Sequence, residues 1–228
     1  MATNELTDAE RAYLEMLIWL SEAGLPMTAA NVARAMRVSA PSVHEMIGRL
    51  ERSELITRGA DKVIAFTPEG ERQAQEIVSR HRLIERFLTD VLGIPWDEVH
   101  EEAEHMEHAA SERLIDRIDN YLGYPAVDPH GDPIPRADGS LAEIEGTPLS
   151  RCRPGQQFRV VRVMDQDPAF LRYLSECGLD LHATGELLEN RPEAGAVVCR
   201  LGERSIALGL AAAGKVLVST DERDVPSE

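Results

Sequence analysis

The spacing of the apolar residues changes along the chain, and this change limits the folds available to it. Apart from one hairpin, apolar side chains recur at helical intervals up to Gly123. The next stretch, YPAVDPHGDPIPRADGS, is rich in Pro, Gly and Asp, which predicts a linker. Beyond it, short runs such as FRVVRV, AVVCRL and KVLVS predict strands. The pattern predicts a mainly α chain with a small β-barrel at the C-terminal end.

The first residues carry the pattern of a winged helix-turn-helix. Thr7 and Glu10 have the spacing of a capping box, and the helix that they begin is predicted to end at Gly24. Two shorter helices follow, AANVARAM and one that begins near Pro41, and the tight connection RVSA joins them. The runs LITR and VIAFT then predict an antiparallel hairpin. A hairpin in this position would be the wing of a DNA-binding domain.

The middle of the chain is predicted to be helical throughout. A long helix begins at Pro68 and ends at Gly93, and an acidic helix follows with SERLIDRIDNYLG as its continuation. We therefore predict a winged helix-turn-helix at 1–70, a helical domain at 71–125, a Pro- and Gly-rich linker at 126–154 and a β-barrel at 155–228.

The composition excludes several classes of partner. The chain has 24 Lys and Arg against 40 Asp and Glu, a net charge of -16, which disfavours membrane surfaces and indiscriminate nucleic-acid binding. No membrane-spanning run or leader pattern is present, so we expect a cytoplasmic protein without a membrane partner. The three cysteines form no CxxC pair and are predicted to be core residues in a reducing compartment.

The most acidic stretch, DEVHEEAEHMEH at residues 97–108, contains six carboxylates and three histidines. Each residue of a helix turns about 100 degrees, so His100, Glu104, Glu107 and His108 are predicted to share one face. A run of like charge is usually a solvated surface. That interpretation explains the carboxylates but leaves the histidines unexplained, and a metal site is the alternative.

Carboxylates and imidazoles without thiolate suit Mn(II) or Fe(II), and a bound cation would relieve the repulsion between the carboxylates. His81 and Glu85, one turn apart on the preceding helix, are further candidate ligands. Two enzyme hypotheses fail, because residues 100–104 read HEEAE instead of HExxH, and a di-iron bundle needs two ExxH motifs where Glu102 and His105 form one. We therefore expect no enzyme. A helical metalloenzyme and a metal-buffering protein without DNA function are the remote alternatives.

The candidate DNA-binding surface reverses the charge of the chain locally. Residues 28–62 carry six basic and four acidic side chains. Hydroxyls at the start of the recognition helix can meet phosphates or base edges, and wing cations can meet phosphates. Three packed helices without DNA function are the simpler alternative. The predicted DNA-binding residues are Ser39, Pro41, Ser42, Glu45, Arg49, Arg58 and Lys62.

These motifs together resemble the diphtheria-toxin-repressor family of metal-dependent transcriptional regulators, in its manganese-type branch. The resemblance rests on VSAPSVHEMIGRLERSELI, on RHRLIERFLTDVLGIPWDEVHEEAEHMEHAAS and on LGYPAVDPHGDPIP, and it covers nearly the whole chain. It implies a helical metal-binding and dimerisation domain and a C-terminal SH3-like domain. It also implies a homodimer that pairs through the middle domain and binds double-stranded operator DNA when a divalent metal is present. Such a protein usually represses metal-uptake genes.

The resemblance also implies the metal ligands. His81, Glu85 and His100 match an ancillary site; Glu104, Glu107 and His108 match a primary site; and Glu15 matches a further ligand of the manganese branch.

One substitution bears on which metal is bound. Glu104 stands where the iron-type branch has a cysteine, and a carboxylate favours a harder ion, so we expect Mn(II), with Fe(II) as the alternative and Co(II) or Zn(II) as surrogates. The family ligand positions of the first helix and the third domain fall on Ala12, Gln166 and Ala169. The two alanines cannot ligate, and Asp8 is a weaker candidate beside Glu15 for the contact from the first helix.

Overall fold

The computed structural model describes residues 6–220, and these are mainly helical with a small sheet, which confirms the predicted fold class. Within these residues, no helix has the length and apolar character needed to cross a bilayer. The predicted domain limits stay predictions, and their outermost residues lie outside the described part. The chain divides into two compact units: the first contains residues 6–81, 107–109 and 135–141, and the second contains 82–106, 110–134 and 142–220.

The first unit contains the predicted helix-turn-helix and wing. Its elements are α1 (Asp8–Glu22), α2 (Ala29–Met36), α3 (Ala40–Arg52), β1 (Ile56–Arg58) and β2 (Ile64–Phe66). Thr7 begins α1 with a capping box, since its backbone N–H donates to the Glu10 carboxylate at 2.8 Å and its hydroxyl accepts from the Glu10 N–H. The apolar faces meet around Leu14, Val43 and Ile47, which are at most 1% exposed. The β1–β2 hairpin is antiparallel, as predicted.

The long helix α4 (Pro68–Leu92) begins and ends where the sequence predicts. The Thr67 hydroxyl accepts from the backbone N–H of Gly70 at 3.0 Å. A Cβ on Gly70 would lie 1.7 Å from the carbonyl oxygen of Leu55, so only glycine allows this approach of the helix to the chain before β1. Gly93, with φ +69°, follows the last residue of the helix.

The acidic stretch forms a shorter helix than its sequence predicts. α5 (Val99–Glu107) ends before His108, and Ser111 caps a separate helix, α6 (Glu112–Tyr121), through the backbone N–H of Leu114. The predicted continuation is therefore interrupted at residues 108–111. His108 lies in the turn after the helix, so its predicted place on the helical face is wrong.

The Pro- and Gly-rich stretch is packed, which differs from the linker that its composition predicts. Asp128, His130 and Asp132 are at most 6% exposed. The Asp128 carboxylate accepts from the backbone N–H groups of His130 and Asp132 at 2.8 and 2.9 Å, which fixes the turn. Gly131, with φ +89°, lets this turn approach the Val161 carbonyl, which a Cβ would meet at 2.2 Å.

The C-terminal part of the second unit is an antiparallel sheet with strand order β3-β8-β4-β5-β6-β7. Its elements are β3 (Thr147–Pro148), β4 (Gln157–Val163), α7 (Pro168–Cys177), β5 (Thr184–Arg191), β6 (Ala196–Leu201), β7 (Arg204–Gly209), α8 (Leu210–Ala213) and β8 (Val216–Ser219). Phe158 and Leu187 are fully buried in its core. Cys152 and Cys199 lie in the same core with free thiols, and Cys177 packs against it, as predicted.

Candidate functional site

A buried group of three ligand-type side chains lies inside the first unit. His81 Nδ1 lies 2.8 Å from Glu107 Oε2 and 3.7 Å from Glu15 Oε1. One candidate ligand atom from each of the three residues lies within 4.8 Å of the others. Glu15 and Glu107 are only 6% and 7% exposed, and Trp19 packs edge-on against the imidazole at a ring distance of 6.2 Å. Two carboxylates held this close and away from water favour a divalent cation between them.

The elements of this cluster explain its position. Glu15 lies on the buried side of α1, His81 lies on α4, and Glu107 is the last residue of α5. His108, in the turn that follows, has Nε2 3.7 Å from Glu107 Oε1 and Nδ1 3.6 Å from the Asp8 carboxylate. The first turn of α1 therefore lies next to the end of the acidic stretch, and the ligand role of Asp8 stays a prediction.

The remaining predicted ligands belong to the second unit. The buried carboxylate of Glu85 lies 3.1 Å from His100 Nδ1 on α5, and His100 Nε2 lies 3.5 Å from Glu104 Oε1. The Glu104 side chain is 55% exposed, whereas that of Glu107 is 7% exposed. Each of the two predicted sites combines residues of both units, so both sites stay predictions. The ancillary site joins His81 with Glu85 and His100, and the primary site joins Glu104 with Glu107 and His108.

A second buried cluster was missed by the sequence analysis. Glu85 Oε2 and Asp128 Oδ2 lie 3.8 and 3.9 Å from His130 Nδ1, and His130 Nε2 donates to the Trp96 carbonyl at 2.8 Å. Among the described residues, neither His130 Nδ1 nor Asp128 Oδ2 has a hydrogen-bond partner, and the guanidinium of Arg82 lies 3.8 Å from Asp128 Oδ2. Burial disfavours the imidazolium, but the charges of Asp128 and Glu85 outweigh it and raise the pKa of His130 to about 9. This arrangement provides three buried ligand groups for a cation.

The turn that carries this cluster is joined to the C-terminal sheet. The His130 carbonyl accepts from the Val163 N–H at 2.8 Å, and its imidazole stacks on Trp96. Asp132 accepts from Arg162 and, at 2.6 Å, from Gln166. Gln166, which occupies a ligand position of the family, therefore contacts a carboxylate in this structure.

All seven predicted DNA-binding residues are exposed in the first unit. Ser39 caps α3 and its hydroxyl lies 2.8 Å from that of Ser42, so both hydroxyls stand at the N-terminus of the recognition helix. Arg49 Nε lies 2.9 Å from Glu10 Oε1, and Arg58 forms an ion pair with Glu51. Pro41 follows at the start of α3, Glu45 lies one turn later, and Lys62 lies in the wing turn with φ +64°.

Three family models match successive parts of the chain. The iron dependent repressor N-terminal DNA binding domain matches residues 5–62, the iron dependent repressor metal binding and dimerisation domain matches residues 67–136, and the FeoA domain matches residues 147–220.

Curated relatives of two kinds are similar to the chain. The iron-dependent repressor IdeR of Mycobacterium leprae is 36% identical over 165 residues, which cover 69% of this chain and 72% of the relative. The diphtheria toxin repressor of Corynebacterium jeikeium is 35% identical over 153 residues, covering 67% of this chain and 62% of the relative. The chain thus spans less than two thirds of the length of some of these relatives.

Solved structures match almost over their full length. A manganese-dependent transcriptional repressor in complex with manganese is 37% identical with a TM-score of 0.82, covering 92% of this chain and 99% of that one. The manganese regulator SloR is 30% identical with a TM-score of 0.75, covering 95% and 100%. ScaR with bound Zn²⁺ is 28% identical with a TM-score of 0.77, covering 93% and 99%.

Proposed function

The chain belongs to the diphtheria-toxin-repressor family of metal-dependent transcriptional repressors, and on that premise we propose that it is an Mn(II)-activated repressor of metal-uptake genes. The protein binds operator DNA through its winged helix-turn-helix when a divalent metal is bound. The observation that carries the proposal is the buried cluster of Glu15, His81 and Glu107, because it links the first helix of the DNA-binding region to α4 and to the end of α5.

The donor set fits a divalent cation. Two buried carboxylates beside an imidazole supply hard and borderline ligands, and their repulsion without a cation disfavours their close approach. A bound metal supplies the charge that holds these three side chains together. The side chains in turn fix α1 against α4, which restricts the position of the α3 recognition helix packed on α1.

Manganese is preferred over iron on the chemistry of the ligands. Glu104 offers a carboxylate where a thiolate would favour softer ions, and neither buried cluster contains a thiol. Similarity to iron-dependent IdeR keeps Fe(II) as the second candidate. Intracellular availability also contributes to metal selectivity, so the metals must be compared directly.

We also propose that Glu85, Asp128 and His130 form a second cation site, which the sequence analysis did not include. His130 Nδ1 and Asp128 Oδ2 form no hydrogen bond among the described residues, and the Glu85 carboxylate lies 3.8 Å from His130 Nδ1. A cation held there would replace the proton on His130 Nδ1, so its binding would weaken as pH falls.

A homodimer through the middle domain is supported by exposed apolar side chains. Leu92, Leu114 and Tyr121 are 60%, 45% and 70% exposed at the ends of α4 and α6. Burying them against a second copy gains free energy in proportion to the apolar area removed from water. Two-fold pairing would present two recognition helices to successive half-sites of an operator.

The test is DNA binding by the purified protein to its own promoter region, titrated with Mn(II), Fe(II), Zn(II) and Co(II). Glu107→Gln should abolish metal-dependent binding while the variant stays folded and dimeric, because it removes a buried anionic ligand. Glu102→Gln is the matched control, since it makes the same charge change at an exposed position of α5. Unaltered Mn(II)-dependent binding by Glu107→Gln would exclude the proposed site.

A further inference from the structure

Arg58, a predicted phosphate contact on the wing, is already held by a carboxylate. Its Nε donates to Glu51 Oε1 at 2.9 Å and its Nη2 donates to Glu51 Oε2 at 2.5 Å, so the Nε–Nη2 edge of the guanidinium is engaged. The hydrogen bond from Arg58 keeps the pKa of Glu51 below its usual range, so the carboxylate is charged at neutral pH. The two charges therefore cancel on the surface that is proposed to meet DNA.

Arg49, on the exposed side of α3, is also paired with a carboxylate. Its Nε lies 2.9 Å from Glu10, whose side chain is only 5% exposed and is fixed by the capping box with Thr7. Lys62, by contrast, has no carboxylate within 4.0 Å among residues 6–220. Two of the three cations among the predicted DNA-binding residues are thus paired within the protein.

The Glu51 carboxylate has no evident role in stabilising its own helix. It lies in the last turn of α3, where the partial negative charge of the helix C-terminus disfavours an anion. An exposed ion pair contributes little to folding stability. A carboxylate at this place matters more for DNA, because a carboxylate and a phosphate present the same bidentate acceptor geometry to arginine.

We propose that Glu51 occupies Arg58, the predicted phosphate contact, in the free protein, that Glu10 occupies Arg49 in the same way, and that both carboxylates so reduce the attraction of the protein to non-operator DNA. On an operator, where the recognition helix docks closely, phosphate replaces the carboxylate at Arg58. On other DNA the ion pair persists, and Arg58 adds no net charge to the contact. The inference rests on the proposed DNA-binding function and adds a residue that determines specificity.

The consequence is measurable as salt dependence. Each phosphate that a protein cation neutralises steepens the plot of log K against log salt by about 0.9. Glu51→Gln leaves Arg58 available, so on a non-operator duplex the slope should steepen by about 0.9. Binding to that duplex should tighten by about two- to fivefold, the range for one exposed ionic contact. On the operator the slope should stay unchanged, because Arg58 already contacts phosphate there.

A matched control is available on α4. Glu69 accepts from Arg72 Nε and Nη2 at 3.0 and 2.7 Å, the same fork at a position outside the predicted DNA-binding residues. Glu69→Gln makes the same change in net charge and removes the same two-atom contact, while Arg72 keeps its ion pair with Glu76 at 3.1 Å. If the gain in affinity came from overall charge alone, Glu69→Gln would reproduce it.

The experiment is fluorescence anisotropy on wild type, Glu51→Gln, Glu69→Gln, Arg58→Ala and the Glu51→Gln/Arg58→Ala double variant, on operator and non-operator duplexes with and without Mn(II). On the non-operator duplex we expect the steeper slope for Glu51→Gln alone. We also expect Arg58→Ala to lower the DNA affinity more in the Glu51→Gln background than in wild type. Equal slopes for Glu51→Gln and Glu69→Gln, or equal losses in both backgrounds, overturn the inference.

The two proposals fail differently in this design. Operator binding by wild type that does not depend on metal contradicts the proposed function, but the non-operator slopes still test the role of Glu51. No DNA binding by wild type or by Glu51→Gln overturns both. Circular dichroism and thermal melting of each variant establish that the compared proteins are folded.

Discussion

His130 makes the stability of the metal-free protein depend on pH in a direction that the structure determines. Its imidazole is fully buried beside Asp128 and Glu85, which raise its pKa to about 9 from 6.5 in an unfolded chain, against the effect of burial. A group with a raised folded-state pKa stabilises the fold fully below its unfolded pKa and loses that contribution as pH rises through its folded pKa. One pH unit of difference is worth about 1.4 kcal/mol, so His130 contributes roughly 3 kcal/mol.

The assay is urea unfolding in the presence of a chelator across the range from about pH 6 to about pH 9.5, which spans both pKa values. Between the lower and the upper pH, the free energy of unfolding of wild type should fall by roughly 3 kcal/mol more than that of His130→Gln. His105→Gln, at an exposed position of α5, is the control and should follow wild type. If wild type and His130→Gln lost stability in parallel, the imidazole would not be held as a cation, and the electrostatic account of this cluster would be refuted.

Two further predictions concern packing. Gly70→Ala should lower the free energy of unfolding by about 1 to 3 kcal/mol, because the added Cβ meets the Leu55 carbonyl. The control is Gly48→Ala, inside α3 with its nearest contact at 3.5 Å, which should be neutral or stabilising. The urea midpoints of the two variants distinguish these outcomes. Asp132→Ala should lower the free energy of unfolding by about 1 to 3 kcal/mol, because it removes the acceptor of Arg162 and Gln166. A urea midpoint unchanged from wild type would show that this contact does not hold the turn.

Local signals in the sequence predicted the helical part of the fold well. The Thr7 capping box, Pro68 at the first position of α4 and Gly93 after its end depend on neighbouring residues alone, so the limits of these helices follow from the sequence. The break after Glu107 was missed because an amphipathic pattern continues through it. Ser111, a residue favoured at helix N-termini, was the available signal.

The sites were predictable only in part, because ligand clusters join residues far apart in the chain. Helical spacing related His81 to Glu85. It gave no indication that Glu107 is buried beside His81, or that Glu104 lies at the surface. Asp128 and His130 stand in a Pro-rich stretch whose composition predicts a linker, and their burial depends on contacts with α4 and β4. Two Asp residues and a His around a single Gly in DPHGD were the unused signal.

The central claim is that metal binding and operator binding favour the same conformation of the protein. Thermodynamic linkage then requires operator DNA to raise the affinity for Mn(II) by the same factor by which Mn(II) raises the affinity for operator DNA, typically about 5- to 150-fold. Isothermal titration of Mn(II) into wild type, with and without saturating operator duplex, measures this factor. Tighter Mn(II) binding in the presence of operator, matched by the reciprocal DNA titration, is the predicted result. An Mn(II) affinity unaffected by operator DNA would contradict the account.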